Sequence, residues 1–138
     1  MANVRFDNKR LVQILQQQPD FVDEVLRESA NEIMGDIVLS FGTSPPGREY
    51  QRGKVVHVAS RPGNPPNVDT GALRASMRVR KVNEKTYHVQ DGVEYGIMLE
   101  DGTERMGARP FVRPVFEQWV RGKFVELVAR SARRRGLL

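Results

Sequence analysis

The residues of this 138-residue chain whose types could make or break bonds are few: His57 and His88, the carboxylates Asp69, Asp91, Glu100 and Asp101 near turns, and the hydroxyls of Ser60, Thr70 and Ser76. A hydrolase built from them would use His57 with Asp69, because nucleophilic or general-base chemistry needs an imidazole oriented by a carboxylate beside a hydroxyl. No hydroxyl has a His and a carboxylate close by in sequence, and both histidines are expected on strand surfaces rather than in a catalytic pair. None of the four carboxylates has the spacing of a metal site. Glu100-Asp101-Gly102 could hold a cation, but an acidic pair before glycine is also a common helix ending. Gly102 and Gly107 enclose no lysine, so a phosphate-cradling loop is not indicated. No catalytic, cofactor-binding or metal residue is therefore assigned, and an enzyme is not expected.

Composition narrows the choice further. The apolar fraction is 39% and the charged fraction 28%, which suits a modest core plus surface completed by partners. The length suits a single domain. There are no cysteines, which removes disulfides, thiolate metal sites and thiol nucleophiles. No apolar run approaches the ~20 residues of a membrane span, the N-terminus lacks a signal-peptide core, and no membrane partner is expected. The net charge of +5 is concentrated at one end: from Arg105 onward nine Arg or Lys face two Glu. Arg130, Arg133, Arg134 and Arg135 form its densest part. Such a tail could meet DNA or an acidic protein, or simply end a helix, where cations suit the macrodipole. Absence of aromatics after Phe124 leaves only non-specific, salt-dependent phosphate attraction.

The elements that would position these residues follow from periodicity. Asp7 or Asn8 could cap a short helix through Leu11, Val12, Ile14 and Leu15, ended by Pro19. A longer helix should run from Gln18 or Asp20 to about Phe41, with Asp23 and Arg27 as an i,i+4 pair. Its apolar residues, from Phe21 to Phe41, often recur every four positions and so spiral round the helix. One sheet could not cover them all; the C-terminal helix or a neighbouring subunit should cover the rest.

Residues 42–68 hold five of the eight prolines. They read as a long extended loop or flap, mobile until assembly, with Lys54–Ala59 as its one candidate strand. Its end, Pro62-Gly63-Asn64-Pro65-Pro66, should be a rigid arm. Asp69 or Thr70 would cap a short turn through Leu73 and Ser76. Met77–Val82 and Tyr87–Gln90 should pair as an antiparallel hairpin about Asn83-Glu84-Lys85, with Met77, Val79, Tyr87 and Val89 inward. Tyr95, Met98 and Leu99 lie on one side of a helical turn ended by Gly102. Residues 107–112 should be extended before Pro110. A last helix opens at Arg113 or Pro114, with a single stripe of Phe116, Trp119, Val120, Phe124, Leu127 and Val128. The fold class is thus α+β: a small antiparallel sheet of three or four strands packed by a long helix and a C-terminal helix. The chain divides into 1–41 helical, 42–68 arm, 69–113 sheet and helical turn, and 114–135 helix.

Three blocks in this order carry a family resemblance. Pro62-Gly63-Asn64-Pro65-Pro66 with Asp69-Thr70-Gly71-Ala72-Leu73-Arg74-Ala75-Ser76 is similar to the central motif of the HK97 gp10-like tail-component proteins of tailed bacteriophages. So are Tyr95-Gly96 with Leu99-Glu100-Asp101-Gly102-Thr103, and Met106-Gly107-Ala108-Arg109-Pro110-Phe111-Val112-Arg113-Pro114. Together they span roughly residues 54 to 116. Gly96 departs from the usual alanine and Asp101 from a frequent aromatic.

The resemblance implies a non-catalytic neck or tail-completion protein of a siphophage-like virion or prophage, made in the host cytoplasm and built into a ring, hexameric to match tail symmetry. Its partners would be copies of itself, a head-closure or connector protein on one side, a tail terminator or tail tube protein on the other, and packaged DNA by non-specific contact. The assembly contacts would fall on Arg61, Pro62, Pro65, Pro66, Asp69, Thr70, Gly71, Leu73, Arg74, Glu100, Arg109, Pro110, Phe111 and Arg113. Arg74, Arg109 and Arg113 are expected to meet acidic groups such as Glu100. The arm could strap across an adjacent subunit. A small DNA-binding protein using the Arg-rich tail is the rival from a different class.

Overall fold

A computed structural model of the protein describes residues 9–138, so the capping expected of Asp7 or Asn8 lies outside the described residues. The short helix α1 runs Lys9–Gln17 and the long helix α2 runs Pro19–Ser40 with proline in its first turn. Pro19 can take that place because its missing N–H is one that the first turn leaves unpaired anyway. Phe21, Val25, Ile33 and Ile37 of α2 are buried.

The winding of that stripe is met from two sides by the chain itself. A hairpin of β3 (Arg78–Asn83) and β4 (Thr86–Gln90) lies along one side of α2, and the C-terminal helical segments lie along the other. Met77 of the hairpin and Val115, Trp119, Leu127, Val128 and Ala132 of the C-terminal segments share one core with α2. The Asp23–Arg27 ion pair expected within α2 is not formed. Asp23 turns to the hairpin instead, where Lys81 Nζ lies at 2.7 Å and the Tyr87 hydroxyl donates at 2.8 Å.

The four strands do not join in one sheet. They form two antiparallel pairs, β1 (Pro46–Arg52) with β2 (Val55–Ser60), and β3 with β4. The first pair corrects the reading of residues 42–68 as a structureless flap. Arg52 pairs with Val55 across Gly53-Lys54, and Gly53 takes φ 63. A two-residue turn with glycine first is a hairpin geometry whose twist suits the flanking strands.

After the arm, α3 (Ala72–Ser76) and α4 (Gly96–Asp101) are single helical turns around the second hairpin. Gly102 ends α4 at φ 78, its N–H on the Met98 carbonyl. The last helix is interrupted. It opens as α5 (Arg113–Gln118), winds through a π-turn at Trp119–Lys123 with a kink at Gly122, and resumes as α6 (Phe124–Arg134). The extra residue re-phases the helix, so the single stripe expected from Phe116 to Val128 is broken. Val120 is 83% exposed and Phe116 is also exposed, while Val115, Trp119, Leu127 and Val128 are buried. Trp119 donates its Nε1–H to Asp36 Oδ2 at 2.9 Å, which satisfies the one polar atom of a buried indole.

Candidate functional site: a cavity between the hairpin, the arm and α4

The arm is docked on its own body, contrary to the free strap expected. Gly63 N–H donates to the Ala108 carbonyl at 2.7 Å and Gly42 N–H to the Pro66 carbonyl at 3.1 Å. Pro66 is buried. Pro62 lies against Gly107 so closely that a Cβ there would stand 2.8 Å from Pro62 Cβ. Arg61 binds back to the start of the hairpin, its Nε donating to the Pro46 carbonyl at 2.9 Å and its N–H to Ser44 Oγ at 3.0 Å.

Asp69 does not cap the following turn. Its carboxylate clamps the hairpin: Arg52 NH1 lies 2.6 Å from Oδ2, the Tyr50 hydroxyl donates to Oδ2 at 3.2 Å, and His57 Nδ1 lies 2.9 Å from Oδ1. The Tyr50 and His57 rings stack with centroids 5.6 Å apart. Burial and the Asp69 charge hold the Tyr50 hydroxyl above its ordinary pKa. Thr70 takes part of the capping role, accepting the Ala72 N–H at 3.3 Å. Gly71 supplies φ 80 at the start of α3.

Glu100 also differs from expectation. None of Arg74, Arg109 and Arg113 pairs with it. Its carboxylate instead accepts the backbone N–H groups of Phe111 (2.8 Å), Val112 (3.0 Å) and Arg113 (2.9 Å). These donors open α5 and have no carbonyl to meet within the helix, so an anion there fills an electrostatic as well as a hydrogen-bonding need. Arg113 reaches Asp101 instead, loosely, at 3.8 Å. Phe111 is 1% exposed and packs at a tilt on Phe41, which makes it a core residue rather than a contact surface. Pro110 and Pro65 are half-buried beside it and in the arm.

The glycine at position 96 has a local reason. A Cβ there would stand 2.6 Å from the Asp91 carboxylate, whose Oδ1 accepts the Val93 N–H at 3.1 Å.

These pieces enclose a cavity of about 470 Å3, a size within the ~300–1,000 Å3 of small-ligand sites. The structure gathers Pro66, Asp69, Thr70, Gly71, Leu73, Arg74 and Arg109 on its walls. Arg61, Pro62, Pro65, Glu100, Pro110, Phe111 and Arg113 lie outside it. Sequence reasoning missed Tyr50 and Arg52, the clamp partners. Their signal was the Gly53-Lys54 turn, which implies a strand before it as well as after.

Chemically, the cavity offers cations without matching anions. Arg109 donates through Nε to the Ser60 carbonyl (3.2 Å) and through NH1 to the Gly107 carbonyl (3.3 Å), and Arg74 has no hydrogen-bond or ion-pair partner among the described residues. The His57–Asp69 pair suggested as a hydrolytic dyad is close in space. Its carboxylate is shared with Arg52 and Tyr50, and the Ser60 hydroxyl on the cavity wall is buried without a hydrogen-bond partner. Among the described residues no group of three or more His, Asp or Glu is placed to hold a metal ion, and no helix is long and apolar enough to cross a membrane.

The basic tail is engaged along α2. Arg130 pairs with Glu32 at 2.6 Å, Arg134 with Glu28 at 3.0 Å, and Arg135 with Glu24, its guanidinium also lying over the Phe21 ring. No protein-family model, curated protein or solved structure matches this chain.

Proposed function

We propose that the protein is a ring-forming structural subunit of the neck of a tailed bacteriophage or prophage, a tail-completion component that joins the tail tube to the head. The three sequence blocks motivate the reading. The observation that carries it is the first hairpin. Val55, Val56 and Val58 are 56%, 60% and 39% exposed on a two-stranded ribbon whose edges pair with no third strand. An open apolar ribbon of this kind invites a neighbouring chain.

Hexamers are the expected state, to match the symmetry of a tail, with head-closure and tail-tube or terminator proteins on the two sides. Native mass measurement of the purified chain, alone and with isolated tails, tests this together with labelling of the chain in particles. A monomer or weak oligomer that becomes a ring on tail ends is expected. A chain that ignores tails and labels no head–tail junction would overturn the proposal.

The DNA-binding reading draws less support, since Arg130, Arg134 and Arg135 already face carboxylates. A salt titration separates the two. Affinity for duplex DNA should vanish near physiological salt while assembly persists.

A further inference from the structure

We infer that copies of this chain join head to tail through α4, its outer face on one copy seating in the cavity of the next. The inference rests on the assembly reading above and names a contact within it. The cavity has apolar walls at Leu73, Tyr95 and Leu99 and two guanidiniums, Arg74 and Arg109, that meet no carboxylate. Asp69 cannot neutralise them, because Arg52 and His57 already share it. The fitting occupant is therefore a carboxylate beside bulky apolar groups.

The same chain presents that combination. Glu94 in the turn before α4 is exposed and has no ion-pair partner among the described residues. Ile97 and Met98, three and four residues on, are 67% and 51% exposed. That spacing places the three together on one side of the turn. Tyr95 and Leu99 face the cavity, whereas Glu94, Ile97 and Met98 are not among its walls. Ridge and cavity thus belong to opposite sides of one helix, so a copy cannot fill its own cavity. A repeat of this contact is heterologous, the kind that closes into a ring when its rotation permits. The other exposed apolar groups fit less well: Val55 and Val56 follow Arg52 and Lys54, and Val120 precedes Arg121, cations of the same sign as the cavity.

The chain has no cysteine, so introduced thiols report only the contact they are placed in. One preparation carries Ile97→Cys on the ridge, a second carries Thr70→Cys on the cavity wall, and the two are mixed in concentrated solution under mild oxidation. The mixed disulfide should dominate over either homodimer. Glu94→Arg on the ridge copy should lower its yield by about tenfold or more, and Arg74→Glu on the cavity copy should restore it. Arg74 is exposed and partnerless, so its reversal spares folding. If the chain self-associates by light scattering but the mixed disulfide stays at background, or the double reversal restores nothing, this contact is wrong and the assembly reading stands. If the unmodified chain associates neither alone nor on tails, both fall.

Discussion

Glu100 and Phe111 are joined by a 2.8 Å hydrogen bond from the Phe111 backbone N–H to the Glu100 carboxylate, across eleven residues of chain. The acceptor sits at the end of α4, and the donor is a core residue just ahead of α5. One side chain therefore fixes both where the last helix starts and how α4 is oriented at the cavity wall.

Removing that carboxylate should be costly for its size. Glu100→Ala leaves three N–H groups without an acceptor and should lower stability by about 2–3 kcal/mol. Glu100→Gln keeps an acceptor oxygen but not the charge, and should cost about 1 kcal/mol. Urea denaturation of the two variants checks the order; equal losses, or none, would remove the capping role.

Acid should loosen α2 from its two neighbours. The Lys81 ammonium and then the Tyr87 hydroxyl hold the Asp23 carboxyl below its ordinary pKa. The Arg134 guanidinium, aided by Ser131 and opposed by burial, does the same for Glu28. Below about pH 4 the unfolded chain binds protons at these positions before the folded chain does. Stability is then present above the unfolded values and is lost as pH falls through the lowered folded ones. Asp23→Asn with Glu28→Gln should flatten the acid limb of a melting-temperature profile and leave its neutral-to-alkaline part parallel to the parent. An unchanged acid limb would contradict the assignment.

Two glycines with positive φ should respond differently to a methyl group. Gly102 has φ 78, and a Cβ would stand 2.8 Å from Ala108 N and 2.9 Å from the Met106 carbonyl oxygen. Gly53 has φ 63 with open space around it. Gly53→Ala should cost only the left-handed penalty, about 1–2 kcal/mol, and Gly102→Ala at least 1 kcal/mol more. Thermal unfolding of both variants gives the comparison.

Asp69 is expected to govern the first hairpin rather than the whole molecule. Asp69→Ala should speed hydrogen exchange through residues 46–60 and open Arg52 and Lys54 to trypsin, while exchange in α2 and α6 stays slow. Exchange unchanged in the hairpin would show that its attachment lies elsewhere, for example in Arg61 or in the Asn67 bond to the Val58 carbonyl.

Helices α1 and α2, the second hairpin and the end of α4 at Gly102 were legible because each rests on a local pattern: apolar spacing, alternation, a proline or a glycine. Strand β1 was not. Pro46-Gly47-Arg48-Glu49-Tyr50-Gln51-Arg52 has a single large apolar residue, and only pairing with β2 makes it a strand. Side-chain partners followed the same division. That Asp23 would prefer Lys81 and Tyr87 to Arg27, or that Glu100 would serve three backbone amides rather than an arginine, depends on residues brought close by the fold. The broken stripe after Phe116 was illegible for another reason: an ordinary helical period was assumed where the backbone winds one residue more.

That extra residue sets a length constraint. Phe124 N–H reaches back five residues to the Trp119 carbonyl, and Gly122 has nothing within 4 Å of where a side chain would begin. Many side chains could stand at Gly122, but deleting one residue from the segment would rotate everything beyond it by about 100°. Leu127 and Ala132 would swing out of the interior, and Arg130, Arg134 and Arg135 would lose Glu32, Glu28 and Glu24 together. Descendants of this sequence can therefore rewrite the letters at this joint freely, provided they keep their number.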